Sequence, residues 1–261
     1  MQIGICGSPA LLATLPAAAG HDFIEGFTQD VLVPERPDAE FAPRADALRR
    51  SGQAMPASNR FLPADLKVVG PAVDAARLDR YAATTFRRAK EIGMSLVVFG
   101  SAGARMVPEG FSPSRAFEQY VAALTRFGPL AAAQGVTLVV EPLNRVECNL
   151  VNTIVEGAEA VGRANSPAVK LLVDIFHMIR NGESPDDIAE VGPLIRHVHV
   201  AENVDRAAPP SHGDDFRPFF RALHRTGYNA RLALEPDWTD LPRQAGPAVA
   251  ALRAQLAVAG Y

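Results

Sequence analysis

The chain has few of the residues that staple, tether or charge a fold. Its 261 residues include two cysteines, Cys6 and Cys148, far apart and outside any CxxC pattern. That excludes a disulfide framework and a cysteine zinc site, and predicts free thiols. Lysine occurs three times, at Lys67, Lys90 and Lys170, so no ring of lysines marks a phosphate-binding mouth and an unphosphorylated ligand is expected. No run approaches the ~18 uninterrupted apolar residues of a membrane span, and the opening MQIGICGSPALLATLP lacks the basic start of a signal peptide. A cytoplasmic protein without a membrane partner is therefore expected. The formal charge of −3 shows no basic excess, which removes the electrostatic reason to expect nucleic acid.

What is present is ordinary for a soluble globular protein: 48% apolar and 21% charged residues, in a chain long enough for one large core. Short runs rich in Val, Ile, Leu and Phe alternate with segments of helical spacing, the pattern of repeated βα units around a parallel sheet. The runs are Gln2 to Cys6, Asp22 to Phe27, Gln53 to Ala57, Leu96 to Ser101, Thr137 to Glu141, Val169 to Asp174, His197 to Val200 and Arg231 to Glu235. Helices are expected over Pro9 to Ala19, Ala39 to Ser51, Asp74 to Ile92, Pro113 to Gln134, Thr153 to Arg163, Pro185 to Val191, Phe216 to Thr226 and Leu241 to Val258. Ser112-Pro113 and Ser184-Pro185 read as helix starts, and Gly93, Gly135 and Gly227 as stops. Eight of each in alternation predict a (β/α)8 TIM barrel, one domain across residues 1–261. An open doubly wound sheet is the alternative, but no GxGxxG follows the first strand. Residues 101–112 and 201–213 read as long loops, which in compact domains often carry function.

In a parallel barrel the active site lies at the C-terminal strand ends. TLVVE ends on Glu141, KLLVD on Asp174 and RLALE on Glu235, and HVHV carries His199, all on predicted strands five to eight. Three converging carboxylates repel unless their pKa values rise or a cation sits among them, so one divalent ion is the simplest resolution. Oxygen-rich donors with one nitrogen and no thiolate favour Mn2+ or Mg2+, with Co2+ possible, over structural zinc. His197 projects to the same side as His199 but lies lower, as a supporting or packing residue. In VDIFHM a sharp strand-to-helix turn follows Asp174 and brings His177 beside the ion, where an acid, base or hydrogen-bond donor is useful. His212 and Asp214 are candidates to line the site, and Met106, Phe111, Phe176 and Trp238 are candidate apolar contacts to a ligand.

EPLNRVE at 141–147, Asn152-Thr153, VDIFHM at 173–178, HVHVAEN at 197–203 and ALEP at 233–236 together resemble the sugar phosphate isomerase/epimerase superfamily, the xylose isomerase-like barrels. The EPLNRxE string is most similar to the ketose 3-epimerases acting on D-tagatose, D-psicose or L-ribulose. The resemblance implies that Glu141, Asp174, His199 and Glu235 bind the metal. It further implies that Glu141 and Glu235 act as acid and base on opposite faces of a keto-sugar, through a cis-enediolate. Glu147 and His177 match positions that grip the carbonyl end, and homodimers or homotetramers are expected by analogy. A substrate-binding arginine usually stands six residues beyond the ligand histidine; here Asp205 occupies that place and Arg206 the next. Arg206 is the candidate, if the loop absorbs one extra residue. Other activities of the superfamily compete with 3-epimerisation, among them hydroxypyruvate, xylose and inosose isomerases and inosose dehydratases, as does a sugar-binding partner subunit without turnover. An endonuclease IV-like DNA-repair role is disfavoured, since its additional histidines are missing between Asp22 and His177.

Overall fold

In the computed structural model, which describes residues 1–261, eight parallel strands close into a barrel in chain order. They are β1 Gln2–Gly7, β2 Phe23–Phe27, β3 Ala57–Asn59, β4 Leu96–Phe99, β5 Thr137–Val140, β6 Val169–Asp174, β7 Ile195–Val200 and β8 Arg231–Leu234. The ring closes where Gln2 to Ile5 pair with Arg231 to Leu234. The expected α/β barrel is the observed fold. No helix is long and apolar enough to cross a membrane.

Helices return the chain on the outside: α1 Pro9–Leu12, α2 Thr28–Val31, α3 Asp38–Ser51, α4 Ala75–Glu91, α5 Ala102–Arg105, α6 Pro113–Gln134, α7 Ile154–Ala164, α8 Ile175–Asn181, α9 Asp187–Val191, α10 Arg217–Arg225 and α11 Leu241–Ala259. Four of the helices, α4, α6, α7 and α11, start where a side chain takes up a free amide. Asp74, Ser112, Thr153 and Asp240 accept from the amides of Arg77, Arg115, Glu156 and Arg243. α6 ends at Gly135, whose φ of +68° is the left-handed cap that glycine adopts without steric cost.

Three expectations are corrected. The third strand is Ala57–Asn59 rather than Gln53 to Ala57, because Pro56 has no N–H for the ladder and acts only through its carbonyl, which accepts from Ser95 and Leu96. The first helix breaks after Leu12, and after Pro16 only a 3-10 turn, Ala17–Ala19, follows, since a proline cannot continue the ladder. Residues 184–186 form a turn before α9 instead of its first residues. The short helices α2 and α5 lie where no helix was expected, α5 inside the 101–112 loop, because helices of four residues leave too little periodicity to read; α8 follows the strand-to-helix turn read in VDIFHM.

Strand side chains alternate between the lumen and the helix layer. A core of 71 buried residues fills the space between barrel wall and helices. Separate from it, Ala57, Leu96, Val98, Val139 and Leu172 form one small buried group, and Cys6, Phe23 and Ala233 another. Phe23 occupies so much of the lumen that residue 4 must be glycine, because a Cβ there would overlap the phenyl ring. Register levels the next polar layer: Cys6 lies beside Glu25, Leu172 beside His197, and Asp174 beside His199.

One peripheral carboxyl ties α8 to α7. Glu183 Oε2 accepts from the Ile154 amide, the first of α7, at 2.8 Å. Burial pushes its carboxyl from 4.5 up to about 7, outweighing that hydrogen bond. A raised acid is stabilising while neutral, so its contribution is complete below the unfolded-state value and is lost as pH rises through about 7. Thermal melts from about pH 5 to about pH 7.5 should show the wild type losing stability relative to Glu183→Gln. Parallel profiles would contradict this.

Candidate metal centre

Glu25 lies inside the barrel with no exposed surface, and its carboxylate faces two histidines. Oε2 accepts from His197 Nε2 at 2.7 Å and Oε1 from His199 Nε2 at 3.0 Å. Burial alone would raise this carboxyl, but the two imidazoles outweigh it and hold it at about 2. An ionised carboxylate only accepts, so both Nε2 atoms carry hydrogen. His199 Nδ1 is thereby turned toward Glu141 Oε1 at 3.3 Å and Glu235 Oε2 at 3.4 Å. His197 sits below, its ring centroid 4.9 Å from that of His199 and its Nδ1 without a hydrogen-bond partner.

Ligand-type atoms of Glu141, Asp174, His199 and Glu235 lie within 4.8 Å of one another. Glu141 and Glu235 directly follow β5 and β8, Asp174 ends β6, and His199 is the penultimate residue of β7. Asp174 doubles as the N-cap of α8, accepting from the His177 amide at 3.2 Å. Gly100 makes room for the cluster, since a Cβ there would strike Glu141 Oε2. Behind Glu141, the fully buried Arg105 donates to the Glu141 carbonyl at 2.7 Å and to Phe99 and Tyr120, fixing where the chain leaves β5.

The electrostatics call for a cation. Burial raises the Glu141 carboxyl, with Glu235 and Asp174 adding to the rise against the bond to His199. Glu235 is mostly enclosed, which would raise it, yet Arg206 and His199 hold it low. Burial opposes charge on His199, but Glu25 and Glu235 outweigh it and raise the imidazole well above its usual value. A nitrogen lone pair pointed at two carboxylate oxygens needs positive charge between them, as a proton or an ion. Three carboxylates and one imidazole fit a divalent ion such as Mn2+, Mg2+ or Co2+. Glu25, His197 and His199 also cluster closely enough to bind an ion. There, however, the facing atoms are already joined by the two hydrogen bonds of Glu25.

Above the cluster, a cleft of about 370 Å3 is lined by Glu147, His177 and Arg206 as well as Glu141 and Glu235. Asn144 joins two of these: its side-chain amide donates to Glu147 Oε1 at 2.8 Å and lies 2.9 Å from His177 Nδ1. The Asn144 backbone amide also donates to His177 Nδ1, which leaves the hydrogen on Nε2, 3.6 Å from Asp174 Oδ2. Arg206 reaches the site despite its displaced position. Asp205 and Arg206 both adopt positive φ, 57° and 47°, and this double turn absorbs the extra residue. The guanidinium then pairs with Glu235, donates from Nε to the Glu235 carbonyl at 3.1 Å, and packs over Phe176 at 4.7 Å.

Other expected contacts lie elsewhere. The amides of His212 and Asp214 donate to the buried Glu202 carboxylate and shape the 201–213 loop, and neither side chain lines the cleft. Met106 and Phe111 also lie outside it. Glu25, Asn59, Arg105 and Asn144 are the polar residues that the reading of strand ends passed over. Asn59, at the end of the correctly placed β3, donates to Glu235 Oε1 and would have been found had that strand been read two residues later.

Residues 15–256 match the xylose isomerase-like TIM barrel family. The chain belongs to this family. An L-ribulose 3-epimerase of Mesorhizobium japonicum is 37% identical over 121 residues, 44% of this chain and 38% of that protein. An L-ribulose 3-epimerase of Methylomonas sp. is 31% identical over 116 residues, 44% of this chain and 40% of that protein. The chain thus spans about two fifths of the length of these relatives in sequence. In three dimensions, a solved L-ribulose 3-epimerase overlays 99% of this chain and 95% of its own length, with a TM-score of 0.80 at 25% identity.

Glu25→Gln replaces an acceptor for two N–H groups with an amide that can accept from one and clashes with the other. Mn2+ affinity measured by calorimetry should fall by about 10- to 100-fold, the usual cost of losing a group that orients a ligand. An unchanged affinity would show that Glu25 does not set the orientation of His199.

Proposed function

We propose that this protein is an enzyme, a divalent-metal-dependent ketose 3-epimerase. The observation that carries the proposal is the meeting of Glu141, Asp174, His199 and Glu235 within 4.8 Å, beneath a cleft that also presents Glu147, His177 and Arg206. The first four residues would hold the ion, Mn2+ by preference, with Mg2+ or Co2+ as substitutes. When bound, the ion supplies positive charge that favours proton loss beside a carbonyl.

The remaining chemistry falls to the chain. Epimerisation at carbon 3 of a ketose removes the proton beside the carbonyl and returns one to the opposite face, through a cis-enediolate. That requires two acid/base groups that are not side by side. Glu141 and Glu235 follow strands three places apart in the ring and both line the cleft. Asn59 and Arg206 donate to the two oxygens of Glu235, which fixes the plane of that carboxylate. His177 offers its Nε2 hydrogen, and Glu147, held by Asn144, offers an acceptor, so together they can orient a carbonyl and a neighbouring hydroxyl. The relatives named L-ribulose 3-epimerase support the same reaction.

The test is carbon-bound proton exchange. Mn2+-loaded protein is incubated in deuterium oxide with D-fructose, D-psicose, D-tagatose and L-ribulose, and each sugar is read by NMR. Deuterium at carbon 3 with the matching epimer is expected, and Glu235→Gln should reduce the rate by about 10²- to 10⁴-fold. Deuterium at carbon 1 with an aldose product would make the protein an isomerase instead. Sugar binding without exchange would make it a binding subunit.

A further inference from the structure

A second cavity, of about 250 Å3, opens beside the cleft, around the ends of β1, β2 and β8. The two share Arg60, Arg206 and Glu235 as a common wall. Glu147 comes from the loop after β5 and His177 from α8, which directly follows β6, both across the barrel mouth from β1 and β2. A ketose oriented by Glu147 and His177 at its carbonyl end therefore directs its far end toward Arg60.

Arg60 is built as a junction. Its backbone adopts the left-handed region at φ 54°, a strained conformation for a residue with a Cβ, and such strain tends to collect at functional sites. Its amide donates to Asn59 Oδ1 at 2.6 Å and its carbonyl accepts from Gln29 Nε2 at 3.0 Å. The same Asn59 donates to Glu235, so the position of Arg60 is coupled to the proposed acid/base carboxylate. The guanidinium sits over the Phe27 ring, with its central carbon 3.9 Å from the ring centroid, rather than on a carboxylate.

Beyond Arg60 the second cavity presents Phe27 and Trp238, with Ser8 and Asp237 at the edges. Trp238 is held in place by its indole N–H, which donates to the Cys6 carbonyl at 3.0 Å. Aromatic surface bordered by polar groups suits a neutral sugar ring, which has an apolar C–H face and a hydroxylated edge. Asp237 and Glu235 in this wall offset the charges of Arg60 and Arg206, so it offers an acidic group no net positive charge.

We propose that this cavity is a subsite for a second, uncharged ring. The substrate is a ketose bearing a glycosyl group at the end away from its carbonyl, and Arg60 sets that preference. The proposal rests on the ketose 3-epimerase reading.

The experiment compares kcat/KM for carbon-3 epimerisation of D-fructose, isomaltulose (D-fructose with glucose on its oxygen 6) and D-fructose 6-phosphate by the Mn2+-loaded enzyme. Isomaltulose is expected to exceed the other two by about 10-fold or more. Arg60→Ala, and Leu11→Trp, which fills the second cavity from its far wall, should each lower kcat/KM about 10-fold further for isomaltulose than for D-fructose. A loss of fold would depress both sugars alike. D-Fructose turned over as well as isomaltulose, a preference for the phosphate, or equal losses for the two sugars in variants that melt like the wild type would overturn the subsite while leaving the epimerase reading intact. Exchange with none of the sugars would overturn both.

Discussion

The candidate centre depends on one buried carboxylate and its two hydrogen bonds. Glu25 is enclosed in the barrel, and a charge in that position is tolerable only if it is fully paired. His197 and His199 pair it, at 2.7 and 3.0 Å. The arrangement decides a tautomer: with hydrogen on Nε2 of both rings, the remaining nitrogen of His199 is left to face the carboxylates above. Losing either histidine would leave Glu25 with one of its two oxygens unpaired, and losing Glu25 would free His199 to rotate. Floor and centre are therefore a single electrostatic unit.

The barrel supplies the rest by geometry. Closure in chain order makes β5 to β8 neighbours, and register sets Asp174 level with His199. Individual side chains are then trimmed to fit. Gly100 leaves room for Glu141, Arg105 anchors the Glu141 carbonyl, and Asn59 and Arg206 grip Glu235 from two sides. These residues come from β3 and from the connections after β4 and β7, so the cleft is a composite surface supported by a rigid wall. That division explains how a common scaffold can carry substrate selectivity in residues such as Arg60.

The features legible in the sequence were those written in local pattern. A carboxylate closing an apolar run identifies a strand end, as for Glu141, Asp174 and Glu235, and Ser112-Pro113 identifies the start of α6, whereas Ser184-Pro185 proved to be a turn before α9. Glu25 escaped because it sits mid-strand in FIEGF, where a lone acid between phenylalanines has no meaning until β7 is known to lie across the lumen. Asn59 escaped because Pro56 displaces β3, and Arg206 looked misplaced because spacing alone does not reveal two consecutive residues with positive φ. His212 and Asp214 looked like site residues because polarity in a long loop does not say whether side chains face a ligand or the loop's own backbone.

The most direct measurement is anomalous X-ray diffraction from crystals grown with Mn2+. One strong peak bounded by Glu141, Asp174, His199 and Glu235, with His199 Nδ1 as the nitrogen donor and Nε2 still on Glu25, is the predicted result. A peak between Glu25, His197 and His199, or no peak at either cluster, would contradict the account.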